Sequence, residues 1–481
     1  MTRIVLSAIV PFMLLASCST ETAPASTVGA AGFTSGTRLH AQVYAAGSTK
    51  LWHDWFDTQL KVTCSFRDTD DGGNHCIPTG PTTGSSYNLF GDAACTAPVV
   101  EASSGCGAPE YATVGAPGGA CSRVHVAKVG APFTGTTYAL NNGACTASGA
   151  NPTSKFFSVG ATLPSSTLVS GSMKIEARGP ALSVQVEHGD DGSSRVVNLY
   201  DTGLAGPCAP IFESEQARLT DYAGRCAPTS TAFQEGDFGD AVCGSPVAYA
   251  PAGACTTVPR NAIQVYGPIS KTCPQEALLG YAQLGTPYLG DVYRSDQGTC
   301  QKQPSKPPSE GFANVGPTLP GSSMAKVAQL REGQERIVKD WLVDDAGHKL
   351  MVVGLYDTLR KEPCFWSPTN DGKMRCTPRA GNGGSFSDAT CTKALFQAST
   401  PAAGCPVEPT PKVVVALATF GVCQTPGKLR FYTVGGPVSL TETYSLNNEK
   451  CTGPFPSGTA TYYDTTEIPP ETFAELSDVT E

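Results

Sequence analysis

The cysteines of this chain constrain its fold more than any other feature of the sequence. The 481 residues contain 19 cysteines, and all except Cys18 fall into three groups of six. Even counts per group are typical of a disulfide framework in an exported chain. We therefore expect nine disulfides, each within its own group, with consecutive cysteines paired, as Cys364 with Cys376. The groups are Cys64, Cys76, Cys95, Cys106, Cys121, Cys145; Cys208, Cys226, Cys243, Cys255, Cys273, Cys300; and Cys364, Cys376, Cys391, Cys405, Cys423, Cys451.

Each cysteine group lies in one copy of an internal repeat, and successive copies are offset by 144 and 156 residues. Four motifs recur in the same order: an aromatic-Asp-Thr triplet, the pattern F-x-D-A-x-C, a Gly-x-Pro turn followed by a tyrosine, and a closing apolar-Pro pair. A fixed period of this kind indicates a repeat architecture. The recurring acidic residues are Asp57, Asp201 and Asp357 in the first motif and Asp92, Asp240 and Asp388 in the second.

The sequence pattern within a repeat predicts an all-β fold. Residues 195–200 and 349–356 are β-branched and apolar, and turn residues bound them. Asp-Asp-Gly at 70–72 and Asn-Asp-Gly at 370–372 are typical of hairpin turns. Helical periodicity is confined to residues 324–339.

Two all-β architectures fit three such repeats. About eight strands per repeat would make two four-stranded blades, so that three repeats form a six-bladed β-propeller. The alternative is three separate small β domains in a row. We favour the propeller, because polar linkers are not visible between the copies. The expected divisions are repeat 1 at 36–170, repeat 2 at 171–325, repeat 3 at 326–475 and a tail at 476–481.

The first residues have the features of an export signal. Arg3 precedes an apolar stretch that ends in Leu-Ala-Ser-Cys at positions 15–18. That ending resembles the bacterial lipobox, in which cleavage before the cysteine accompanies its acylation. We expect residues 1–17 to be a lipoprotein signal peptide, Cys18 to carry the lipid, and 18–35 to be a flexible tether. Ser19 follows the cysteine where a retention signal would have Asp, and the sorting rules that this resemblance implies favour the outer membrane or cell surface.

The motifs resemble those of the uncharacterised, cysteine-rich repeat lipoproteins of myxobacterial type. The similar residues in repeat 3 are Tyr356-Asp357-Thr358, Pro363-Cys364-Phe365, Arg375-Cys376-Thr377-Pro378 and the segment 386–391, with weaker copies earlier in the chain. The resemblance covers nearly all of residues 36–475. It implies an exported bacterial protein and brings no activity or site residue with it.

The sequence contains no recognisable catalytic constellation. Its net charge of −9 argues against nucleic-acid binding. The six histidines do not recur at one repeat position or form metal-binding pairs, so we expect no metal, no cofactor and no catalytic residue. The recurring aspartates admit two readings, turn capping or a threefold ligand site, and capping is favoured because each copy of the fold would need it. Trp52 and Trp55 form an aromatic pair found in one repeat alone and are the candidate ligand-binding residues.

Three functions remain open from the sequence. The first is an envelope lipoprotein with a non-enzymatic role, either a scaffold or a binder of a protein or a glycan. The second is a propeller-type polysaccharide hydrolase or lyase, and the third is a purely structural envelope component.

Overall fold

The computed structural model describes most of the repeats and begins at residue 32. Cys18 and the signal segment lie outside the described residues, and so do Cys106, Cys121, Cys255, Cys273, Cys405 and Cys423. The described residues are 32–80, 83–86, 88–103, 107–115, 123–141, 144–148, 154–212, 220–229, 231–234, 236–249, 262–266, 278–296, 299–303, 311–398, 410–419, 427–447, 450–458 and 460–481.

The described residues form an all-β fold, as the sequence predicts. The first strand, β1 Phe33–Thr34, lies in the segment 18–35 that the sequence predicts to be a flexible tether, but it pairs with β16 of repeat 2 and Phe33 is buried, so this end of the segment is part of the fold. Repeat 1 contains β2 Leu39–Ala46, β3 Thr49–Asp57, β4 Val62–Asp68, β5 Asn74–Pro78, β6 Thr83–Ser86, β7 Leu89–Phe90, β8 Val99–Ser103, β9 Tyr111–Gly115, β10 Val124–Phe133, β11 Tyr138–Asn141, β12 Ala144–Ala147 and β13 Ser154–Thr162.

Repeat 2 has the same order of strands. They are β14 Gly171–Ala177, β15 Leu182–Gly189, β16 Ser194–Asp201, β17 Gly206–Ile211, β18 Arg225–Pro228, β19 Thr231–Gln234, β20 Asp237–Phe238, β21 Val247–Tyr249, β22 Ala262–Tyr266, β23 Leu278–Tyr288, β24 Tyr293–Asp296, β25 Thr299–Lys302 and β26 Phe312–Leu319.

Repeat 3 follows in the same way, and two further strands end the chain. They are β27 Ala328–Glu332, β28 Ile337–Val343, β29 Lys349–Asp357, β30 Glu362–Pro368, β31 Met374–Pro378, β32 Gly381–Asn382, β33 Ser385–Phe386, β34 Ala394–Ala398, β35 Val413–Thr419, β36 Lys428–Val438, β37 Glu442–Asn447, β38 Lys450–Pro456, β39 Thr461–Ile468, β40 Ala474–Glu475 and β41 Ser477–Thr480.

Every repeat builds the same three elements from these strands. Four consecutive antiparallel strands make a meander sheet, which is β2–β5 in repeat 1, β15–β18 in repeat 2 and β28–β31 in repeat 3. Five more strands make a curled sheet, in the order β6-β9-β10-β13-β8 in repeat 1, and it closes into a barrel in repeat 2. A small hairpin sheet completes the unit, ordered β12-β11-β7 in repeat 1. The described sheets contain between three and eight strands, so six equal four-stranded blades are not confirmed.

The edge strand of each meander sheet follows the closing motif of another repeat. The apolar-Pro pair that closes a repeat leads into a 3₁₀ turn, at Ser165–Thr167, Gly321–Ser323 and Pro470–Thr472. The chain then crosses to the next meander sheet, where β14 pairs with β15 and β27 pairs with β28. After repeat 3, β41 pairs with β2 of repeat 1 in the same way. Residues 477–480, which the sequence suggested were part of a tail, thus form the missing edge strand of the first repeat.

The three meander sheets pack in a cycle. The hairpin between β2 and β3 reaches repeat 3, where Ser48 N donates to the Glu335 carboxylate at 3.1 Å. The hairpin between β15 and β16 reaches repeat 1, where Asp191 Oδ2 accepts hydrogen bonds from the backbone of Arg38 and Leu39. Asp344, after β28, lies against Gly179 of repeat 2. Each repeat therefore contacts the other two through equivalent hairpins.

Apolar cores follow the same cycle. One buried cluster combines Leu182, Val184 and Val186 of repeat 2 with Leu342 and Leu350 of repeat 3. Another combines repeat 3 with Tyr44, Ala46 and Leu51 of repeat 1. Because burial of apolar side chains is the main favourable term in folding, these shared clusters make the stability of each repeat depend on its neighbours.

Two sequence expectations are corrected here. The segment 324–339 is not a helix, because it contains β27 and the start of β28, separated by a turn at Gly333 with φ 141°. The Gly-x-Pro motif is not a turn between strands. Pro132, Pro287 and Pro437 lie inside the long strands β10, β23 and β36, each at a shift of register with the neighbouring strand. Proline is tolerated in a strand at a bulge, where the ladder is already interrupted.

Candidate functional site

The three aspartates of the aromatic-Asp-Thr motif each stabilise the turn that follows them. Asp57, Asp201 and Asp357 are at most 2% exposed. In each case Oδ1 accepts hydrogen bonds from the backbone N–H groups two and three residues further on, at 2.9–3.2 Å. The following threonine hydroxyl donates to the backbone carbonyl of the residue just before the neighbouring strand. These contacts are those of turn capping, the reading that the sequence favoured.

Two of the three aspartates also pair with an arginine. Arg38 donates two hydrogen bonds to Asp57, at 2.9 and 2.7 Å, and a third to Thr167 O in the turn that closes the repeat. Arg336 links Asp357 to Thr472 O in the same way. Repeat 2 has Ala181 at this position, and Asp201 Oδ2 instead accepts from Ala325 N at 2.9 Å. All three carboxylates are thus held within their own repeat.

The second set of aspartates holds the loop of the third cysteine. Cys95, Cys243 and Cys391 have φ of 53°, 54° and 52°, a conformation that residues other than glycine seldom adopt. Asp240 Oδ1 accepts from Val242 N and Gly244 N, at 3.0 and 2.9 Å. These hydrogen bonds, led by the one from Gly244, lower the pKa of Asp240 to about 2. Asp92 and Asp388 accept equivalent backbone hydrogen bonds in their loops.

The described disulfides follow one pattern in all three repeats. The first cysteine pairs with the second, in Cys64–Cys76, Cys208–Cys226 and Cys364–Cys376. The third pairs with the sixth, in Cys95–Cys145, Cys243–Cys300 and Cys391–Cys451. Consecutive pairing is therefore wrong for the third cysteine. Its loop lies at the hairpin sheet, where Phe90 of the same motif pairs with Tyr138, and the sixth cysteine is on the next strand of that sheet.

The structure places the candidate residue Trp55 in the core and the candidate residue Trp52, partly buried, against it. Trp55 is 1% exposed and packs in the apolar cluster of repeat 1, with the Trp52 ring against its edge at 5.7 Å. The Arg195 guanidinium lies over the Trp52 ring at 3.8 Å. No ring face of Trp55 is open to a ligand, and the arginine covers one face of Trp52.

A different aromatic cluster lies at the surface between repeats 1 and 3. The Tyr44 ring stacks on His53, with centroids 4.1 Å apart, and contacts Trp366 at 5.7 Å. His53 Nε2 is 3.1 Å from Asp478 Oδ1 on the last strand. Trp366 is 43% exposed. Residues from β2, β3, β30 and β41 are thus brought together by the pairing of the last strand with the first repeat.

This cluster borders a cleft of about 410 Å³, which we call the aromatic cleft. A volume of this order is typical of small-ligand sites. Trp366 is on the same face of β30 as Pro368, because side chains two apart in a strand point the same way. The cleft is lined by Tyr44, Pro368, Gly372, Lys373, Met374, Lys428, Leu476 and Asp478.

The charged groups of the aromatic cleft differ in their partners. Lys373 Nζ is 2.7 Å from Glu475 Oε2, and Asp478 is hydrogen-bonded to His53. Lys428 is exposed and has no ion-pair partner in the part of the chain that the structure describes. Burial, followed by the charges of Asp478 and Asp54, raises the pKa of Tyr44, so its hydroxyl keeps its proton near neutral pH. The cleft therefore offers an uncharged hydroxyl, one carboxylate and a free ammonium group beside an exposed indole.

The aromatic cleft is not repeated in the other two copies. The register of the strands places Glu187 and Leu342 at the positions equivalent to Tyr44, and Phe66 and Pro210 at those equivalent to Trp366. A β-bulge occurs in all three copies, with His53 in repeat 1 but Val197 and Val353 in the others. Bulges commonly redirect a side chain next to a functional site. The scaffold is thus threefold, but the cleft belongs to one junction.

The described residues contain no cluster of metal-binding side chains and no membrane-spanning helix. No group of three His, Cys, Asp or Glu side chains among them is arranged to hold a metal ion. The same residues include no helix with the length and hydropathy to cross a bilayer.

The fold and the disulfides together define this chain as an all-β, disulfide-bonded repeat protein with an asymmetric surface cleft. It belongs to a family of unknown function, DUF7481, whose profile matches residues 79–324, slightly more than half of the chain. No curated protein and no solved structure shows significant similarity to it. The match covers most of repeat 2 and the second half of repeat 1, and the aromatic cleft lies outside it.

Proposed function

We propose that this chain is an exported, lipid-anchored binding protein of the bacterial cell envelope with no catalytic activity. The observation that carries the proposal is the contrast between the repeated carboxylates, which are held in turns, and the aromatic cleft, which interrupts the threefold pattern. A side chain required three times serves the fold of each copy, whereas a group of residues present once is free to serve a ligand. Disulfides form and persist in oxidising compartments, which supports export.

The carboxylates of the aromatic cleft support binding over hydrolysis. Glycoside hydrolysis uses two carboxylates that flank the scissile bond. Asp478 is the one carboxylate in the described lining of the cleft, and it is bonded to His53. A polysaccharide hydrolase or lyase remains the second candidate from the sequence, and a purely structural envelope role the third.

The finer parts of the proposal concern the location of the protein. The lipid is attached to Cys18. The protein is one of the repeat lipoproteins of myxobacterial type, and it acts at the outer membrane or cell surface. Its partners are the membrane, through the lipid, and an envelope protein or glycan, through the cleft. These parts rest on the lipobox-like segment and on the motifs of the repeats.

One experiment on the full-length protein tests the anchor and another tests the lack of catalysis. Mass spectrometry of the mature chain should find Cys18 as the first residue and acylated, and an unmodified Cys18 within a longer chain would contradict the anchor. The detergent-solubilised protein should bind a component of a panel of envelope polysaccharides and proteins without releasing new reducing ends or unsaturated sugars. Turnover of any panel member would contradict the non-enzymatic role.

A further inference from the structure

We propose that the aromatic cleft binds a saccharide that carries a carboxylate, with a sugar ring on Trp366 and the carboxylate at Lys428. This inference deepens the proposed function and rests on it. It depends on three features: the exposed indole that borders the cleft, the charges of the cleft and the apolar part of its lining.

The indole supplies the surface on which a sugar ring can stack. Trp366 is 43% exposed, although its strand neighbour across the sheet, Cys376, is fully buried. The Tyr44 ring supports one side of the indole, and Tyr44 in turn is stacked on His53. Large rings held in place by other rings bury apolar area on binding at little cost in conformational entropy. Trp366 is therefore a prearranged platform and not a mobile surface side chain.

The charges select the kind of saccharide. Glu475 already neutralises Lys373, and Asp478 is already bonded to His53. Lys428 remains as the ammonium group without a partner among the described residues. Lys428 Nζ lies beside the turn at Gly372, about 3.4 Å from where a side chain on that glycine would begin. An anionic group on the ligand can pair with this ammonium group, while the Tyr44 hydroxyl and Asp478 remain to bind sugar hydroxyls.

The apolar part of the lining fits the hydrophobic face of a sugar. Pro368, Met374 and Leu476 line the cleft between the polar groups. Pro368 and Met374 are direct cross-strand partners, so together with Trp366 they form a continuous apolar strip along β30 and β31. A pyranose ring has one face of C–H groups and a rim of hydroxyls, which matches an apolar strip with polar groups at its edge.

The test measures binding of two oligosaccharides of equal length to the detergent-solubilised full-length protein by titration calorimetry. One is an oligosaccharide of galacturonic acid and the other is a neutral oligosaccharide of galactose. We expect the acidic oligosaccharide to bind at least about five-fold more tightly in low salt, and the difference to shrink as salt screens the pairing with Lys428. Equal affinity for the two, or no binding of the acidic one, would overturn the inference.

Two variants and two matched controls locate the site. Trp366→Ala should weaken binding about ten-fold, since it removes the stacking platform. Phe365→Ala changes an equally exposed aromatic on the opposite face of the same strand and should leave affinity unchanged. Lys428→Met should remove the preference for the acidic oligosaccharide, whereas Lys450→Met, on exposed strand β38, should not. Equal effects of a variant and its control would place binding elsewhere.

The same titrations separate this inference from the proposed function. The cleft could instead bind a neutral glycan or an envelope protein, and Trp366→Ala would then abolish that binding. This result would overturn the inference that the ligand is an acidic saccharide, but the proposed function as a binding protein would stand. Cleavage of the acidic oligosaccharide during the titration, seen as new reducing ends, would overturn the non-enzymatic role. Unchanged melting temperatures of the variants show that their effects are on binding and not on folding.

Discussion

Each aspartate of the aromatic-Asp-Thr motif holds the same turn, but its other partners differ between repeats. Asp357 accepts hydrogen bonds from two backbone amides and from Arg336, whereas Asp201 has the backbone of Ala325 in place of an arginine. Removal of one partner of a buried charge pair costs more than removal of a neutral contact, because the remaining charge is left without compensation. The three copies thus provide an internal comparison of the same residue with and without its cation.

The first prediction uses that comparison. Asp357→Ala should lower the free energy of unfolding by about 2–3 kcal/mol, since it leaves Arg336 unpaired as well as two turn amides. Asp201→Ala should lower it by about 1–2 kcal/mol, the range expected for the loss of a cap. Chemical denaturation of the two variants measures the difference. Ligand affinity should be retained in both, and a stable Asp357→Ala protein that no longer binds would show that this carboxylate belongs to a ligand site.

The second prediction is that Asp240 and Asp371 make the stability of the fold depend on pH in the acid range. Hydrogen bonds, led by that from Gly244, hold the pKa of Asp240 at about 2. In Asp371, burial acts to raise the pKa, but hydrogen bonds from Arg375 and Thr369 outweigh it and leave the pKa at about 2. A folded-state pKa below the unfolded value of about 4 contributes stability above pH 4 that is lost as pH falls toward 2.

Thermal unfolding at a series of pH values measures this loss. The melting temperature should be level near neutral pH and should fall between about pH 4 and pH 2. In Asp240→Asn the fall should be shallower, because one of the titrating groups has been removed. A melting temperature that rises on acidification through this range would contradict the assigned role of these carboxylates.

The strands themselves were predictable from local sequence, but their partners were not. The β-branched residues 195–200 and 349–356 lie in β16 and β29, as expected. The apolar spacing at 324–339 has a helical period, which Gly333 interrupts, and in it Met324, Val327 and Leu330 are three apart. In the structure Met324 and Val327 are buried in different clusters, whereas Leu330 is 41% exposed on β27. The spacing comes from a bend between repeats, and a helical period in the sequence does not distinguish such a bend from a helix.

Disulfide pairing shows the same limit. Nearest cysteines pair where they face each other on a hairpin, as Cys364 and Cys376 do across β30 and β31. Cys391 pairs with Cys451 instead, because its loop is positioned by the pairing of Phe386 with Tyr444 on a distant strand. That long-range pairing cannot be read from cysteine spacing. The recurring phenylalanine and tyrosine were visible as motifs, but nothing local indicated that they are partners.

The third prediction compares these two bonds. Cys391 and Cys451 are 60 residues apart, and Cys364 and Cys376 are 12 apart. In the chain-entropy account, a bond that closes a longer loop restricts the unfolded chain more, by about 4 against about 3 kcal/mol here. Replacing both cysteines of the long pair with serine should therefore destabilise the protein more than the same change in the short pair. Denaturation of the two double variants measures this, and a larger loss from the short pair would contradict it.

The arrangement of the whole molecule determines which sequence features could reveal the cleft. Tyr44, Trp366 and Asp478 come from three distant segments, and each is unremarkable in its own sequence context. Trp52 and Trp55 are evident in the sequence because they lie three residues apart and are not repeated, but the strand they occupy is covered by repeat 2 through Arg195. The threefold repeat was evident from sequence. The aromatic cleft, which departs from this threefold pattern, lies where the last strand meets the first repeat, and that meeting was not evident from sequence.

The fourth prediction tests that junction. Deletion of residues 477–481 should remove the edge strand of the first meander sheet and the Asp478 partner of His53. We expect a lower melting temperature and loss of hydrogen-exchange protection in β2, with protection retained in β15, whose edge strand β14 remains. The substitution Asp478→Ala is the control, since it removes the side chain but keeps the strand. Equal protection of β2 in the deletion and in the full chain would show that β41 does not stabilise the sheet.

The pairing of β41 with β2 also sets an order of events for folding. The Ser35 hydroxyl donates a hydrogen bond to the backbone carbonyl of Glu481, 446 residues further along the chain. The strand that pairs with the outer edge of β2 is β41, which lies just before Glu481. In an exported chain that crosses the membrane from its N-terminal end, β2 emerges long before β41, so the first repeat must wait with an open sheet edge while the other two emerge. Open edges recruit other strands, and the hazard grows with the time that they remain exposed. The repeat that emerges first is consequently the last to be complete, and slow export would harm it more than it harms its two copies.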